Sequence, residues 1–342
     1  MRNEITIIKP DDFHLHLRDG ETLAFVIKHT AQVFARAIIM PNLKPPVVTL
    51  DELKNYRERI LKAGENYAFE PLMTIYMTHS HTPADIEAFA KSGLVKGIKL
   101  YPSNATTNSA FGISDFDGII PVCEAMAKHK IPLLIHGEVS DANVDVFDRE
   151  KRFIDEILSK KIMKTEGLKI ILEHITTKDA ADFVNENEIA ATVTPQHLLM
   201  NRNAIFAGGI NPHNYCLPVL KREIHREALL KAIKSGSKKF FLGTDSAPHP
   251  KNAKESDCGC AGIYSAFAAL PLYAEAFEEA DAWDNFENFC SKNGADYYGL
   301  AYNKEKITLV REPWIAPAEF NLNDKISIVP MRAKKEIKWR VK

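Results

Sequence analysis

The sequence predicts an α/β protein folded as a (β/α)8 barrel of the TIM type, with a short C-terminal extension. Three features carry that expectation. Eight apolar, β-branched runs recur over the first ~250 residues, a number and length that suit such a barrel. Segments with helical spacing and charged faces lie between them, and strand–helix–strand alternation implies parallel pairing, because parallel neighbours need a crossover connection. Polar residues collect where the runs end: Asn42, Thr78, Lys99, His136, His174 and Asp245. In a barrel those ends form the catalytic face. An open doubly wound sheet is the alternative, but no glycine-rich nucleotide loop follows the first run.

The first run is DFHLHL (12–17). Period two on a strand puts His14 and His16 on one face, with Phe13, Leu15 and Leu17 on the other. RAIIMPN (36–42) is the second and leads into DELKNYRERILKAG (51–64), which has helical spacing. PLMTIYMT (71–78) and KGIKLYP (96–102) follow, then a helical stretch, DFDGIIPVCEAMAKHK (115–130). IPLLIHGE (131–138), LKIILEHIT (168–176) and IAATVTPQHL (189–198) are the next strands. KREIHREALLKAIKSG (221–236) reads as helix and KFFLGTDSAPH (239–249) as the eighth strand. After about residue 300 the pattern degrades. ITLVREPW (307–314), KISIVP (325–330) and EIKWRVK (336–342) read as short strands or an extended tail packed on the barrel. The expected division is a barrel over 1–300 and an extension over 301–342.

Composition narrows the function classes. The chain has 342 residues, 45% of them hydrophobic, ample for a core, which excludes disorder. Forty-four Lys and Arg against forty-five Asp and Glu leave a net charge of −1, so bulk charge gives no support for nucleic-acid or membrane binding. The most apolar run, AFAALPLYAEAF (266–277), is short and interrupted by Pro271 and Glu275. The N-terminal stretch turns acidic after one apolar patch and does not read as a secretion signal. Five cysteines (Cys123, Cys216, Cys258, Cys260, Cys290) are odd and sparse, and read as thiols of a reducing compartment, the cytoplasm by default.

His14 and His16, ~7 Å apart along a strand, can converge on one metal ion. His136, His174 and Asp245 each close an apolar strand, where an isolated polar group is costly unless paired or ligated. Imidazole with carboxylate favours zinc, with manganese or cobalt as alternatives. Lys99 ends the fourth strand. It can be an ion-pair partner, a Schiff-base nucleophile or, after reaction with carbon dioxide, a carbamate that bridges two metals.

In order along the chain, PDDFHLHLRDG, MPNLKPPV, KLYPSNATTNS, LLIHGEV, FDRE, EHITTKDAADFV, TPQHLLMNRN, NPHNYCLPVLK, FLGTDSAPHPKNAKES and CGCAG resemble the signatures of one family. That family is the dihydroorotases of the class II bacterial type, within the amidohydrolase superfamily. The resemblance runs from residue 11 to about 262, weakens to about 300 and is slight beyond. It implies reversible, metal-dependent cyclisation of N-carbamoyl-L-aspartate to L-dihydroorotate plus water, a step of de novo pyrimidine biosynthesis. It implies two zinc ions per subunit. His14, His16, Lys99 and Asp245 would hold the more buried ion, and His136, His174 and the same Lys99 the second. Lys99 would be N-carboxylated and a hydroxide would form the other bridge. Asp245 would be catalytic, taking the hydroxide proton and passing it to the leaving amide nitrogen. Arg18, Asn42, His136 and His249, with the backbone of Leu217 and Ala261, would contact substrate. Thr106 and Thr107 would lie on a mobile loop. A cytoplasmic homodimer acting on a small molecule, with no nucleic-acid or membrane partner, completes what the resemblance implies.

The residues taken alone agree in part. Arg18 lies two positions past His16, on the same strand face at the mouth of the site, and an arginine fork suits a substrate carboxylate. Asn42 ends the second strand and can offer its amide to the same group. His249, four residues past Asp245, binds substrate or caps its loop. Ser103 to Ser109 read alone as an ordinary solvated polar loop. Cys258 and Cys260 are spaced too tightly for a usual zinc clip and read as loop residues near Ala261. His79 and His81 read as surface residues beyond the third strand. The nearest enzymatic rival is another cyclic-amide hydrolase, a hydantoinase or allantoinase, whose neutral ring would not require Arg18, Asn42 and His249. A non-catalytic structural subunit is the rival of another class; loss of metal ligands would mark it, and all six are present.

Overall fold

A computed structural model describes residues 2–342. All eight predicted runs are strands. They are β2 (Asp11–Leu15), β3 (Arg36–Ile39), β4 (Glu70–Tyr76), β5 (Val95–Leu100), β6 (Leu133–His136), β7 (Ile170–Glu173), β8 (Ala190–Val193) and β9 (Phe240–Leu242), preceded by β1 (Glu4–Ile8). Strands β2 to β9 pair in sequence order, every pair parallel, in one eight-stranded sheet. The sheet meets itself just past the strand ends. Asp245 N donates to His14 O (2.9 Å), His16 N donates to Ser246 O (3.2 Å), and Leu15 bridges Ser246. The barrel seam is therefore made by the backbone of three predicted site residues.

Each strand sorts its side chains by alternation. Ala37, Ile39, Ile98, Leu100, Leu133, Ile135, Ile170 and Leu172 join the outer core under the helices. Ile38, Leu72, Leu134, Ile171, Ala190 and Phe241 fill the barrel interior. Lys99, His136 and Glu173 continue the inward rows toward the C-terminal ends, where apolar filling gives way to titratable groups. The helix Leu50–Ala63 shows how the outer layer supports the site. Thr49 and Glu52 form a capping box at its start, and Leu53, Tyr56 and Ile60 make its buried face. From that face Tyr56 donates its hydroxyl to the carbonyl of Arg18 (2.7 Å).

Strict alternation across Phe13–Leu17 does not hold. The β2–β3 register slips between Asp12 and Leu15, and Phe13 packs in the barrel interior while Leu15 and Leu17 join the outer core. Phe13 stacks on Tyr298 (centroids 5.2 Å apart) from the helix Asn293–Tyr298, which closes the bottom of the barrel. Gly294 of that helix lies so close that an added Cβ would stand 2.2 Å from Cε2 of the Phe13 ring. Overpacking of this kind typically costs ~1–3 kcal/mol. Gly294→Ala should therefore lower the unfolding free energy by that amount, shifting the denaturant midpoint down without changing the slope, and an unchanged midpoint would show that the floor can move.

The chain after residue 300 forms short antiparallel pairs. β10 (Lys306–Val310) lies between β1 and β15 (Arg340–Val341). β11 (Trp314–Ile315) pairs with β14 (Glu336–Ile337), and β12 (Phe320–Asn321) with β13 (Ser327–Ile328). Trp339 is fully buried, its ring 5.1 Å from that of Trp283. Among the described residues no helix is long and apolar enough to cross a membrane.

Candidate active site

At the C-terminal ends of the strands four imidazoles form a continuous row. His16 and His14 have ring centroids 5.3 Å apart, His14 and His174 4.9 Å, and His174 and His136 4.8 Å. Asp245 closes one end of the row. Its Oδ1 lies 3.1 Å from His16 Nε2 and 3.4 Å from His14 Nε2. All five side chains are buried. Lys99, fully buried on β5, reaches the carboxylate of Glu173, and its Nζ sits 4.9 Å from the Tyr101 ring centroid.

Strand alternation aims only some of these groups. His14, Lys99, His136 and Glu173 lie on strands. His174, Asp245 and Arg18 lie past strand ends, at φ values of 43°, 46° and 59°. The left-handed region is unfavourable for residues with a Cβ, and non-glycine residues held there concentrate at functional sites. At His174 the turn brings back into the barrel mouth a side chain that continued alternation past Ile171 and Glu173 would point outward. The turn at His174 is anchored on both sides. His174 N donates to Thr192 Oγ1 (2.7 Å) on β8. Buried Glu150 accepts from the amides and hydroxyls of Thr176 and Thr177 at 2.6–3.1 Å. Asp12 does the same at the seam, accepting from His14 N (3.1 Å), Thr244 N (2.9 Å) and Thr244 Oγ1 (2.6 Å). Burial raises its pKa to about 7 against those bonds.

The donor set fits divalent metal ions. His14, His16 and Asp245 offer ligand atoms all within 4.8 Å of one another, and so do His14, Glu173 and His174. Nδ1 of His16, Nδ1 of His174 and Oε1 of Glu173 are buried without a hydrogen-bond partner. Unpartnered buried polar atoms are costly unless something ligates them. Burial lowers His16 to about 4 and, with Lys99 nearby, lowers His174 well below the usual histidine value. Both rings are thus neutral at neutral pH, the form that binds a metal. Burial raises the Asp245 carboxyl, but the bond from His16 and the charges of His14 and His16 outweigh it and hold the group near 2. Burial likewise lowers the Lys99 ammonium, favouring its neutral amine.

The predicted substrate residues gather above this row. Arg18, Asn42, Thr106, Thr107, Leu217 and Ala261 line one cavity with His14, His16, His136, His174 and Asp245. Arg18 does not lie on the strand face of His16, because β2 ends at Leu15. Its Nε donates to Pro248 O (3.1 Å), and its Nη2 lies 2.9 Å from His249 Nε2. The same His249 nitrogen lies 2.9 Å from Ala261 O. Burial, then the charge of Arg18, lowers His249 to about 2, so the ring is neutral and that nitrogen either accepts from Arg18 or donates to Ala261. Asn42 sits three residues past the end of β3 rather than closing it. It donates to Thr107 O (3.1 Å) and accepts at its own carbonyl from Asn108 (2.9 Å). Thr107 Oγ1 donates to Ala261 O (3.2 Å). The loop after Pro102 is thus tied down over the cavity rather than splayed into solvent.

Sequence reasoning missed Glu173. It is buried, 3.0 Å from His14 Nδ1 and in contact with Lys99. A signal was there: Glu173 shares the inward face of β7 with Ile171, so an acid was bound for the barrel interior. Glu138 was also passed over. It is buried, and its Oε2 lies 3.0 Å from His136 Nε2. His79 is exposed beside Ser114, while His81 is half-buried, with its ring nitrogens at Thr78 N and Val48 O. Cys258 is exposed, Cys260 half-buried, and all five cysteines are free thiols.

Comparison with known proteins places this geometry. The amidohydrolase family model matches residues 6–330. A dihydroorotase from Laribacter hongkongensis is 55% identical over 341 residues, covering 98% of this chain and 99% of that protein. The crystal structure of a Campylobacter jejuni dihydroorotase superposes with a TM-score of 0.90 at 37% identity, covering 100% of this chain and 98% of the other. That of the Saccharomyces cerevisiae dihydroorotase in complex with 5-fluoroorotic acid gives 0.90 at 33% identity, over 100% and 99%. Nearly full-length identity of this order, on a barrel whose mouth holds the histidine row, means that this chain belongs to the amidohydrolase family and, within it, to the dihydroorotases.

Proposed function

We propose that the chain catalyses the reversible cyclisation of N-carbamoyl-L-aspartate to L-dihydroorotate with loss of water. The observation that carries the reading is one cavity holding both the row of four imidazoles with Asp245 and, facing it, Arg18 and Asn42. The first set suits hydrolysis of an amide, and the second suits a carboxylate on the same ring.

His14, His16, Lys99 and Asp245 would hold one divalent ion, and His136, His174 and Lys99 a second. We read these as two zinc ions, bridged by N-carboxylated Lys99 and a hydroxide, since imidazole and carboxylate donors favour zinc. Bound there, such ions would generate hydroxide near neutral pH and polarise the ring amide carbonyl. Asp245, ionised at neutral pH, accepts a proton as the ring amide is attacked and returns it to the leaving amide nitrogen. Arg18 pairs with the α-carboxylate through a guanidinium already oriented by Pro248 O. Asn42 and His249 flank that contact, and His136 with the backbone of Leu217 and Ala261 completes the substrate's surroundings. Thr106 and Thr107 cover the site and keep bulk water out, on a loop that would open for substrate to enter. The near-zero net charge agrees with a small-molecule substrate rather than a nucleic acid. A cytoplasmic homodimer belongs to the same reading and rests on the family resemblance.

The test is hydrolysis of L-dihydroorotate by purified protein of measured metal content, beside a hydantoin that lacks the carboxylate. Turnover of dihydroorotate alone is expected; preference for the hydantoin would replace the reading with that of a hydantoinase. Arg18→Met should act mainly on affinity. Losing a hydrogen bond to a charged group costs about 1.5–3 kcal/mol, roughly ten- to a hundredfold in KM. A kcat loss with unchanged KM would move Arg18 from recognition to chemistry.

A further inference from the structure

Leu217 and Ala261 line the same cavity but come from two loops far apart in the chain. One buried side chain joins those loops. Lys254, 3% exposed, donates from Nζ to Tyr215 O and to Gly262 O, 2.7 Å each. Gly262 N also donates to Tyr215 O (3.0 Å), so the three groups form a closed knot beside the cavity. From its other side the first loop is held by His197, whose Nε2 donates to Pro218 O (2.9 Å) while Thr194 Oγ1 contacts Nδ1 (2.7 Å). Leu217 therefore sits between two anchored carbonyls.

The second loop has no slack. Gly262 has φ +150°, and an added Cβ would stand 2.6 Å from Ala247 O and 2.8 Å from His249 Cδ2. Movement at Gly262 would carry Ala261 O with it. That carbonyl accepts from Thr107 of the covering loop and faces His249, which faces Arg18. The lysine is an expensive way to fasten two loops. Both of its hydrogen bonds go to neutral carbonyls, and burial lowers its ammonium to about 8. A buried cation with no acid beside it is disfavoured against an apolar residue of similar volume, so stability alone does not call for it.

We propose that Lys254 is a positioning residue for substrate binding, fixing the relative placement of the Leu217 and Ala261 backbones through the carbonyls of Tyr215 and Gly262. The inference rests on the reading of this cavity as the dihydroorotate site. It is tested with the metal-loaded protein and two variants, Lys254→Met and Lys254→Arg. Measured are metal content, kcat and KM for L-dihydroorotate, and the affinity of 5-fluoroorotate by calorimetry, which reports binding without chemistry. Small misplacements in a binding site cost up to ~10²-fold, so Lys254→Met should raise both KM and the 5-fluoroorotate Kd about tenfold while kcat stays within about threefold. Lys254→Arg keeps donors for both carbonyls and should recover most of the affinity. A folded, metal-loaded Lys254→Met with unchanged KM and Kd overturns the proposal, as does a fall in kcat with KM unchanged. Failure of both variants to fold would make Lys254 a determinant of folding and overturn it as well. A wild-type chain inactive on dihydroorotate would instead sink the functional reading, and this inference with it, before either variant was made.

Discussion

Asp245→Asn should lower turnover by at least ~10²–10⁴-fold, the usual contribution of a general acid–base group, while leaving substrate affinity nearly intact. The carboxylate sits where two tasks meet. Its Oδ1 faces His14 and His16, in a cluster whose geometry could hold a metal ion, and the group is ionised at neutral pH. Asparagine keeps an oxygen for ligation but cannot accept a proton. The measurement is kcat and KM on protein whose metal content matches wild type, so that lost chemistry is separated from lost metal. A fully metallated Asp245→Asn with near-normal turnover would remove Asp245 as the proton carrier. His249 would be the next candidate by position. Its Nε2 lies against both Arg18 and Ala261 O and its pKa is lowered to about 2, which makes it a poor base.

Lys99→Ala should be the other severe change. Even outer partners of a metal ligand are typically worth ~10–100-fold, so if Lys99 serves both ions as proposed, its removal should exceed ~10²-fold in activity and lower metal content too. Lys99 is fully buried, and burial favours the neutral amine that can react with carbon dioxide. A short carboxylic acid added to Lys99→Ala can occupy the vacated space and supply the missing oxygens, so partial recovery with acetate or propionate is expected. Mass spectrometry of the native protein offers an independent readout. An unmodified Lys99 in a fully metallated, active protein would limit its role to its contact with Glu173.

Much of this site was legible in the residues because strands buried on both faces advertise themselves. Runs such as LLIH and IILE can hold a polar residue at the end only if something pays for its burial. The same logic should have picked out Glu173, which follows Ile171 on one face of β7, but His174 beside it drew the attention as a ligand type. Arg18 and Asn42 line the cavity of the histidine row, but for a local reason other than the expected one. Neither lies on a strand, and Arg18 depends on a left-handed backbone that no alternation pattern reveals.

The sequence by itself determined the order of eight parallel strands, the charged faces of the helices, and which residue types stand at the strand ends. Those are properties of short windows: period-two burial, period-3.6 amphipathicity and capping residues act over a few neighbours. Tertiary structure decided the rest. The seam joins His14 and His16 to residues 245–246, more than half the chain away, and the slip at Asp12–Leu15 sends Phe13 into the interior against Gly294. Glu150 fixes the turn after His174 across the gap between two elements, and Lys254 ties the loop before Leu217 to the loop after Ala261. The reason is physical. A buried carboxylate or ammonium must find partners wherever the fold places them, and those partners are set by closure of the barrel rather than by anything adjacent in the chain.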